Sequence, residues 1–185
     1  MSIEIASRRR ALASIAAQWP GATVLDVTSK GSEPWVRLSP FYPHGDIPVP
    51  MTPGRTAQSV EGIWQSLKVF ENADVDATKL DITSMKGIKR TSRRYGRVLG
   101  HRNGLTGDTL LSYEHARRRI YLPAYRWMLE NKTTDLLIEL VKLGGTNQII
   151  LLDYTVNANV DDLSRPLSHA ALICRYVEGR WPAES

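Results

Sequence analysis

Ser59-Val60-Glu61-Gly62-Ile63-Trp64-Gln65-Ser66-Leu67-Lys68-Val69-Phe70 carries the clearest periodicity in the chain. Ser59 suits an N-cap, because its hydroxyl can accept from the backbone N–H groups that open a helix. The spacing predicts a helix from Ser59 to about Glu71. Val60, Ile63, Leu67 and Phe70 recur at helical intervals and form an apolar side. Glu61, Gln65 and Lys68 stand at i, i+4 and i+7, so they share the other face, with Trp64 at the border. A carboxylate, an amide and an amine beside an indole suit the wall of a site. An exposed polar stripe would carry the same residues, and spacing alone does not choose between them.

Upstream of this helix, Pro40 to Pro53 cannot be helical, because prolines recur too often. Before it, Thr23–Val27 and Trp35–Leu38 are expected as short strands and residues 3–18 as a helix. Downstream, a basic helix is expected over Lys86–Leu99 and a glycine-rich loop over Gly100–Gly107. A long helix follows over Ser112–Asn131, kinked at Pro123, and another over Thr134–Leu143, stopped by Gly144-Gly145. The apolar run Ile149–Tyr154 reads as a buried strand and Pro166–Glu178 as a last helix. These elements predict one α+β domain over residues 1–185, mainly helical with a small sheet.

The 185 residues carry a net charge of +5 and one cysteine. A lone Cys174 excludes an internal disulfide and a cysteine-based zinc site, and suits a reducing cytoplasm. Arg8-Arg9-Arg10 followed by Ala11–Ala17 imitates a signal peptide, but the apolar part is short and broken by Ser14, so an amphipathic helix is the expectation. No apolar run approaches the roughly 20 residues of a membrane span. His44, His101, His115 and His169 show no metal-binding spacing, so neither a metal nor an organic cofactor is expected. Basic residues concentrate between Lys86 and Arg126, which favours an anionic partner, a phosphate-bearing nucleotide or nucleic acid. A solvated face would show the same charges.

Two further stretches are candidates. Asp153 ends a buried strand, where a carboxylate is costly unless paired or used, and the following loop offers Asn157 and Asn159. Turns and caps would use the same side chains. Phe41 and Tyr42, held among prolines, suit stacking of a base or covering of the core edge.

The order of these parts resembles the NADAR family of YbiA-like N-glycosidases. That family has an aromatic loop followed by a helix of the form Ser-x-Glu-His-x-x-Gln-x-x-Lys-Phe. Ser59, Glu61, Gln65 and Lys68 match this form, while Gly62 replaces the histidine and Phe70 comes one residue late. Ser92-Arg93-Arg94-Tyr95-Gly96-Arg97 is similar to an Ala-Lys-x-x-Gly-Arg segment, and Leu140–Asp153 to a later segment ending in glutamate. The family's terminal Asp-x-x-Trp-Gly has no counterpart. The resemblance implies hydrolysis, or exchange, of a ribose–nitrogen bond in a phosphorylated ribosyl compound, such as ADP-ribosylated guanine in nucleic acid or a small nucleotide. Glu61 and Asp153 would be its carboxylates. Lys68 would polarise the leaving group or attack the anomeric carbon, and Gln65 would orient water or ribose hydroxyls. Phe41, Tyr42, Trp64, Asn157 and Asn159 would contact substrate, and Lys89, Arg93 and Arg97 would hold phosphate. A nucleic-acid- or nucleotide-binding protein without the reaction is the alternative.

Overall fold

The computed structural model describes residues 2–185; Met1, which opens the basic N-terminal stretch, lies outside them. In chain order the elements are β1 (Ile3–Ser7), α1 (Leu12–Gln18), β2 (Thr23–Asp26), β3 (Ile47–Pro48), β4 (Thr56–Ala57), α2 (Val60–Leu67) and β5 (Lys68–Phe70). Then come the one-turn α3 (Ser92–Tyr95), β6 (Val98–Arg102), β7 (Leu110–Leu111), α4 (Tyr113–Ala116) and α5 (Leu122–Lys132). The last are α6 (Thr134–Thr146), β8 (Ile149–Asp153) and α7 (His169–Val177). The chain is therefore α+β, and its strands form small sheets. No helix among the described residues is long and apolar enough to cross a membrane. Two compact units are recognisable, one of residues up to Ser39 with Thr133–Pro182, the other of Pro40–Lys132 with the last three residues.

In the first unit β8 is the middle strand of a parallel sheet ordered β1-β8-β2, with Ile5 and Leu25 both opposite Leu151. All of β8 is buried, which accounts for its unbroken apolar run: a central parallel strand is covered on both faces and has no reason to alternate. Ala6, Ile15, Ile150 and Leu152 pack together there. The helix expected over residues 3–18 is divided. Ile3 and Ile5 pair with β8, and helix begins only at Leu12. The strand expected at Trp35–Leu38 is a 3-10 turn, because Pro34 at φ −88° and ψ −7° starts it in helical geometry and Val36 and Leu38 are buried from there. α6 runs through Gly144 and Gly145 to Thr146. A glycine inside a helix costs about 1 kcal/mol relative to alanine, and here two of them do not stop it.

In the second unit α2 ends at Leu67, four residues short of the expectation. Lys68, Val69 and Phe70 instead form β5 and pair with β6, in a β5-β6-β7 antiparallel sheet. Val69 and Phe70 are strand-favouring types, and the tertiary pairing takes them out of the helix. The basic helix expected over Lys86–Leu99 shrinks to α3, since Gly87 and Gly96 adopt φ of 73° and 80° on either side of it. Val98–Arg102 then becomes β6, so the start of the expected glycine loop is a strand. The long helix forms as expected near Pro123, with a π-turn over Arg117–Tyr121 between α4 and α5. Proline brings no N–H to the helical ladder, which suits such a local irregularity.

Candidate functional site

α2 is buried almost all round, and Trp64 is its one half-buried residue. Ser59 caps it as expected, its Oγ accepting from Gly62 N at 3.0 Å. Gly62 is required by its neighbour: a Cβ there would stand 2.7 Å from the Lys79 carbonyl and 3.1 Å from Ser59 Oγ. The histidine of the resembling motif has no room at this position.

The Glu61 carboxylate is buried, 8% exposed, and its Oε1 accepts from Gln65 Nε2 at 2.8 Å. Gln65 Oε1 accepts from Arg90 N at 3.0 Å, so one amide bridges the carboxylate to the backbone of a distant loop. The Arg90 guanidinium donates to the carbonyls of Gln65, Lys68 and Asp74 at 3.2, 2.6 and 2.6 Å and lies over the Phe70 ring. Arg90 therefore holds the end of α2 and the start of β5 together. In the sequence Arg90 is one member of a basic cluster. Its burial beside aromatic residues had no signal in the charge pattern.

Lys68 is half-buried, its Nζ 5.9 Å from the centre of the Trp64 ring. Burial lowers its pKa below 10.5. The Glu61 charge pulls in the opposite direction, and Arg90 and Lys89 push it further down. Trp64 is the hub of an aromatic group: ring centres lie 3.8 Å away for His101, 6.0 Å for Tyr113 and 5.8 Å for Tyr121. Lys68, Val98, Leu99, Gly100, His101 and Tyr113 line a hollow of about 280 Å³. His101 and Tyr113 were not among the expected site residues. His101 is placed by strand register, which a helix-and-loop reading of this region could not supply.

Lys89 Nζ lies 5.3 Å from the centre of the half-buried Phe41 ring, joining two expected binding residues. Tyr42 contacts His44, ring centres 4.7 Å apart. Arg93 is exposed on α3, and Arg97 bonds Glu71, Nε to Oε1 at 3.2 Å.

Asp153, Asn157 and Asn159 belong to the first unit. Asp153 Oδ2 accepts from Ser168 Oγ at 2.7 Å and stands 2.9 Å from His169 Nδ1, while His169 Nε2 lies 2.9 Å from the Val27 carbonyl. These bonds tie the ends of β2 and β8 to the start of α7. Asn157 Nδ2 donates to the Asp162 carbonyl, and Asn159 Oδ1 accepts from Asp161 N, as turn-forming asparagines do. A larger hollow of about 430 Å³ in this unit is bordered by Ile3, Ile5, Val156 and Cys174. Burial, then the Glu178 charge, pushes the Cys174 thiol up to about 12, so it is no nucleophile. No group of metal-ligating side chains occurs among the described residues.

Residues 7–173 match the model of DUF6939, described as a family of unknown function. No curated protein matches the chain, and no solved structure matches it.

Proposed function

The chain belongs to DUF6939, and we propose that it is an N-glycosidase that hydrolyses a ribose–nitrogen bond in a phosphorylated ribosyl compound. The observation that carries this reading is the buried Glu61 carboxylate, oriented by Gln65 and electrostatically coupled to half-buried Lys68 beside Trp64. Cleavage of such a bond builds positive charge on the ribose, as glycoside hydrolysis does. The Glu61 carboxylate stabilises that charge and takes a proton from the attacking water. The water oxygen bonds to the anomeric carbon as the carbon–nitrogen bond breaks, and its electron pair leaves with the nitrogen. Lys68, with a lowered pKa, gives that nitrogen a proton. Glu61 then returns a proton to Lys68, and the balance is one water added. Lys89 and Arg93, both exposed, are available to the phosphate. No step needs a metal or an organic cofactor.

A NADAR-like fold is part of the proposal, supported by the Ser59–Glu61–Gln65–Lys68 spacing around one buried carboxylate. A cytoplasmic setting is supported by the single cysteine. The test is incubation with ADP-ribosylated guanine oligonucleotides and 5′-phosphorylated ribosyl-pyrimidines, followed by mass spectrometry, beside Glu61→Gln. Release of base or sugar by the native protein alone is expected. Equal release by both, or none from any substrate, would end the reading.

The exposed run of Lys86, Lys89, Arg93 and Arg94 favours a second reading, a nucleic-acid-binding protein without the reaction. Its mark would be salt-sensitive oligonucleotide binding that survives Glu61→Ala.

A further inference from the structure

We propose that the hollow beside Trp64 is a pocket for a planar heteroaromatic base, and that His101 hydrogen-bonds to that base through its imidazole. The proposal rests on the N-glycosidase reading for the reason a base should be there, and on separate geometry for the pocket itself.

The register of the β5-β6-β7 sheet sets Lys68, His101 and Leu111 side by side. Directly opposed residues in antiparallel strands project to the same face, so the ammonium and the imidazole share one. His101 is 1% exposed, and neither Nδ1 nor Nε2 has a hydrogen-bond partner among the described residues. A buried polar ring with both nitrogens unpaired is costly, and native proteins seldom keep one without a use. The ring is not loose. Its centre lies 3.8 Å from that of Trp64 at an angle of 36°, which fixes its plane.

The walls match a flat ligand. Val98, Leu99 and Tyr113 are all exposed apolar or aromatic residues at the hollow, and Lys68 and His101 bring nitrogen-bearing side chains to it. Apolar walls with a few convergent polar groups are the usual make-up of small-molecule pockets. At about 280 Å³ the hollow falls just below the roughly 300–1,000 Å³ of drug-sized pockets. A base-sized ring suits it better than a dinucleotide.

The chemistry of the imidazole selects base over phosphate. Burial, then the neighbouring Lys68 charge, pushes His101 down to about 3. At neutral pH it is uncharged, with one N–H donor and one acceptor nitrogen. An uncharged ring gives a phosphate little reason to bind, whereas a base edge presents both donors and acceptors. His101 is also too weak a base to serve as the proton donor, so it positions the ring and Lys68 supplies the proton.

The test uses the full chain carrying histidines labelled with ¹⁵N in the ring, as native protein and as Glu61→Gln. The His101 signals are assigned by their loss in His101→Gln. Guanosine 5′-monophosphate, cytidine 5′-monophosphate and ribose 5-phosphate are titrated separately. The His101 ring nitrogens are expected to shift with at least one nucleotide and to stay still with ribose 5-phosphate. Unmoved nitrogens with both nucleotides, or equal movement with ribose 5-phosphate, overturn the proposal. His101→Phe keeps a ring against Trp64 and removes both nitrogens. It is expected to weaken nucleotide binding about tenfold, roughly the effect of one lost hydrogen bond, with partial recovery in His101→Gln. Unchanged nucleotide binding in His101→Phe also overturns the proposal, and the shift measurement on the native chain stands if that variant does not fold. Since the readout is binding, a protein that shifts these signals yet releases no base would lose only the N-glycosidase reading. One that releases base while the signals stay still would lose only the base pocket.

Discussion

Gln65 Nε2 donates to Glu61 Oε1 at 2.8 Å across one turn of helix, inside a buried segment. The amide is held from its other end by Arg90 N, so the carboxylate is aimed by a fixed group. Glu61→Gln keeps the shape and removes the charge. It is expected to keep the native melting temperature within a few degrees and to lose base release by about 10²–10⁴-fold, the usual loss of a general base. Gln65→Ala should act differently. It leaves Arg90 N buried without its acceptor, so stability falls by about 1–3 kcal/mol in urea unfolding and turnover falls with it. A Gln65→Ala protein with native stability would show that the bridge is not held as described.

The Glu61–Lys68 pair predicts the alkaline side of the pH profile. Lys68 acts as an acid, so activity is present while its ammonium is charged and is lost as pH rises through its pKa. Burial puts that value below 10.5, and the alkaline fall in kcat/KM is expected below that pH. The Glu61 charge is what raises Lys68 against burial. Removing the charge should therefore lower the Lys68 pKa further. Nζ-detected NMR titration of Glu61→Gln against the native protein would measure this directly. An unchanged Lys68 pKa in the variant would mean that the two groups are not coupled, and an upward move would reverse the sign of the interaction.

Gly62 predicts a stability effect at a position where the resembling motif carries a large side chain. A Cβ would meet the Lys79 carbonyl at 2.7 Å, and that atom is backbone, which cannot swing away. Gly62→Ala gains helix propensity of about 1 kcal/mol but forces the Ala77–Asp81 turn outward, at an overpacking cost of about 1–3 kcal/mol. A net loss of stability is expected, larger for Gly62→His. Guanidinium unfolding midpoints would decide it, and a rise for Gly62→Ala would contradict the contact.

Some of this was legible in the sequence for identifiable reasons. The Ser59 cap, the buried run Ile149–Asp153 and the irregularity before Pro123 each follow from local chemistry: a hydroxyl, an apolar run, a missing N–H. The local pattern puts Lys68 in a helix and Val98–Arg102 across a helix end and a loop, and strand pairing between distant segments overrides it. Periodicity sees neighbours in sequence, and β5 and β6 are neighbours only in space. The same blindness hid His101, whose importance lies in a register partner and a stacked ring. Asp153 was recognised as a carboxylate needing an explanation, but its partner His169 lies sixteen residues on, beyond the reach of a turn or helix argument.

That pair carries the last prediction. Burial alone would lower the His169 pKa. The Asp153 charge and hydrogen bond outweigh it, helped by the Val27 carbonyl and Asp26, and raise it above 6.5. Burial alone would raise Asp153, but the His169 charge and the bonds from His169, Ser168 and Tyr154 N bring it below 3.8. For His169 the folded value exceeds the unfolded one of about 6.5, so its contribution is full below that pH and is lost as pH rises through the folded value. For Asp153 the folded value is depressed, so its contribution is present above about pH 3.9 and is lost as pH falls through the folded value. The pair is thus most stabilising between about pH 4 and 6.5. Urea midpoints of the native protein and His169→Gln, measured from pH 5 to 9, should converge as the imidazolium is lost. Asp153→Asn leaves the buried imidazolium without its counter-charge and is expected to lose about 3–5 kcal/mol at pH 6, and less at pH 9. A native-minus-variant difference that stays flat across the range would mean that His169 is uncharged and that the contact is an ordinary hydrogen bond.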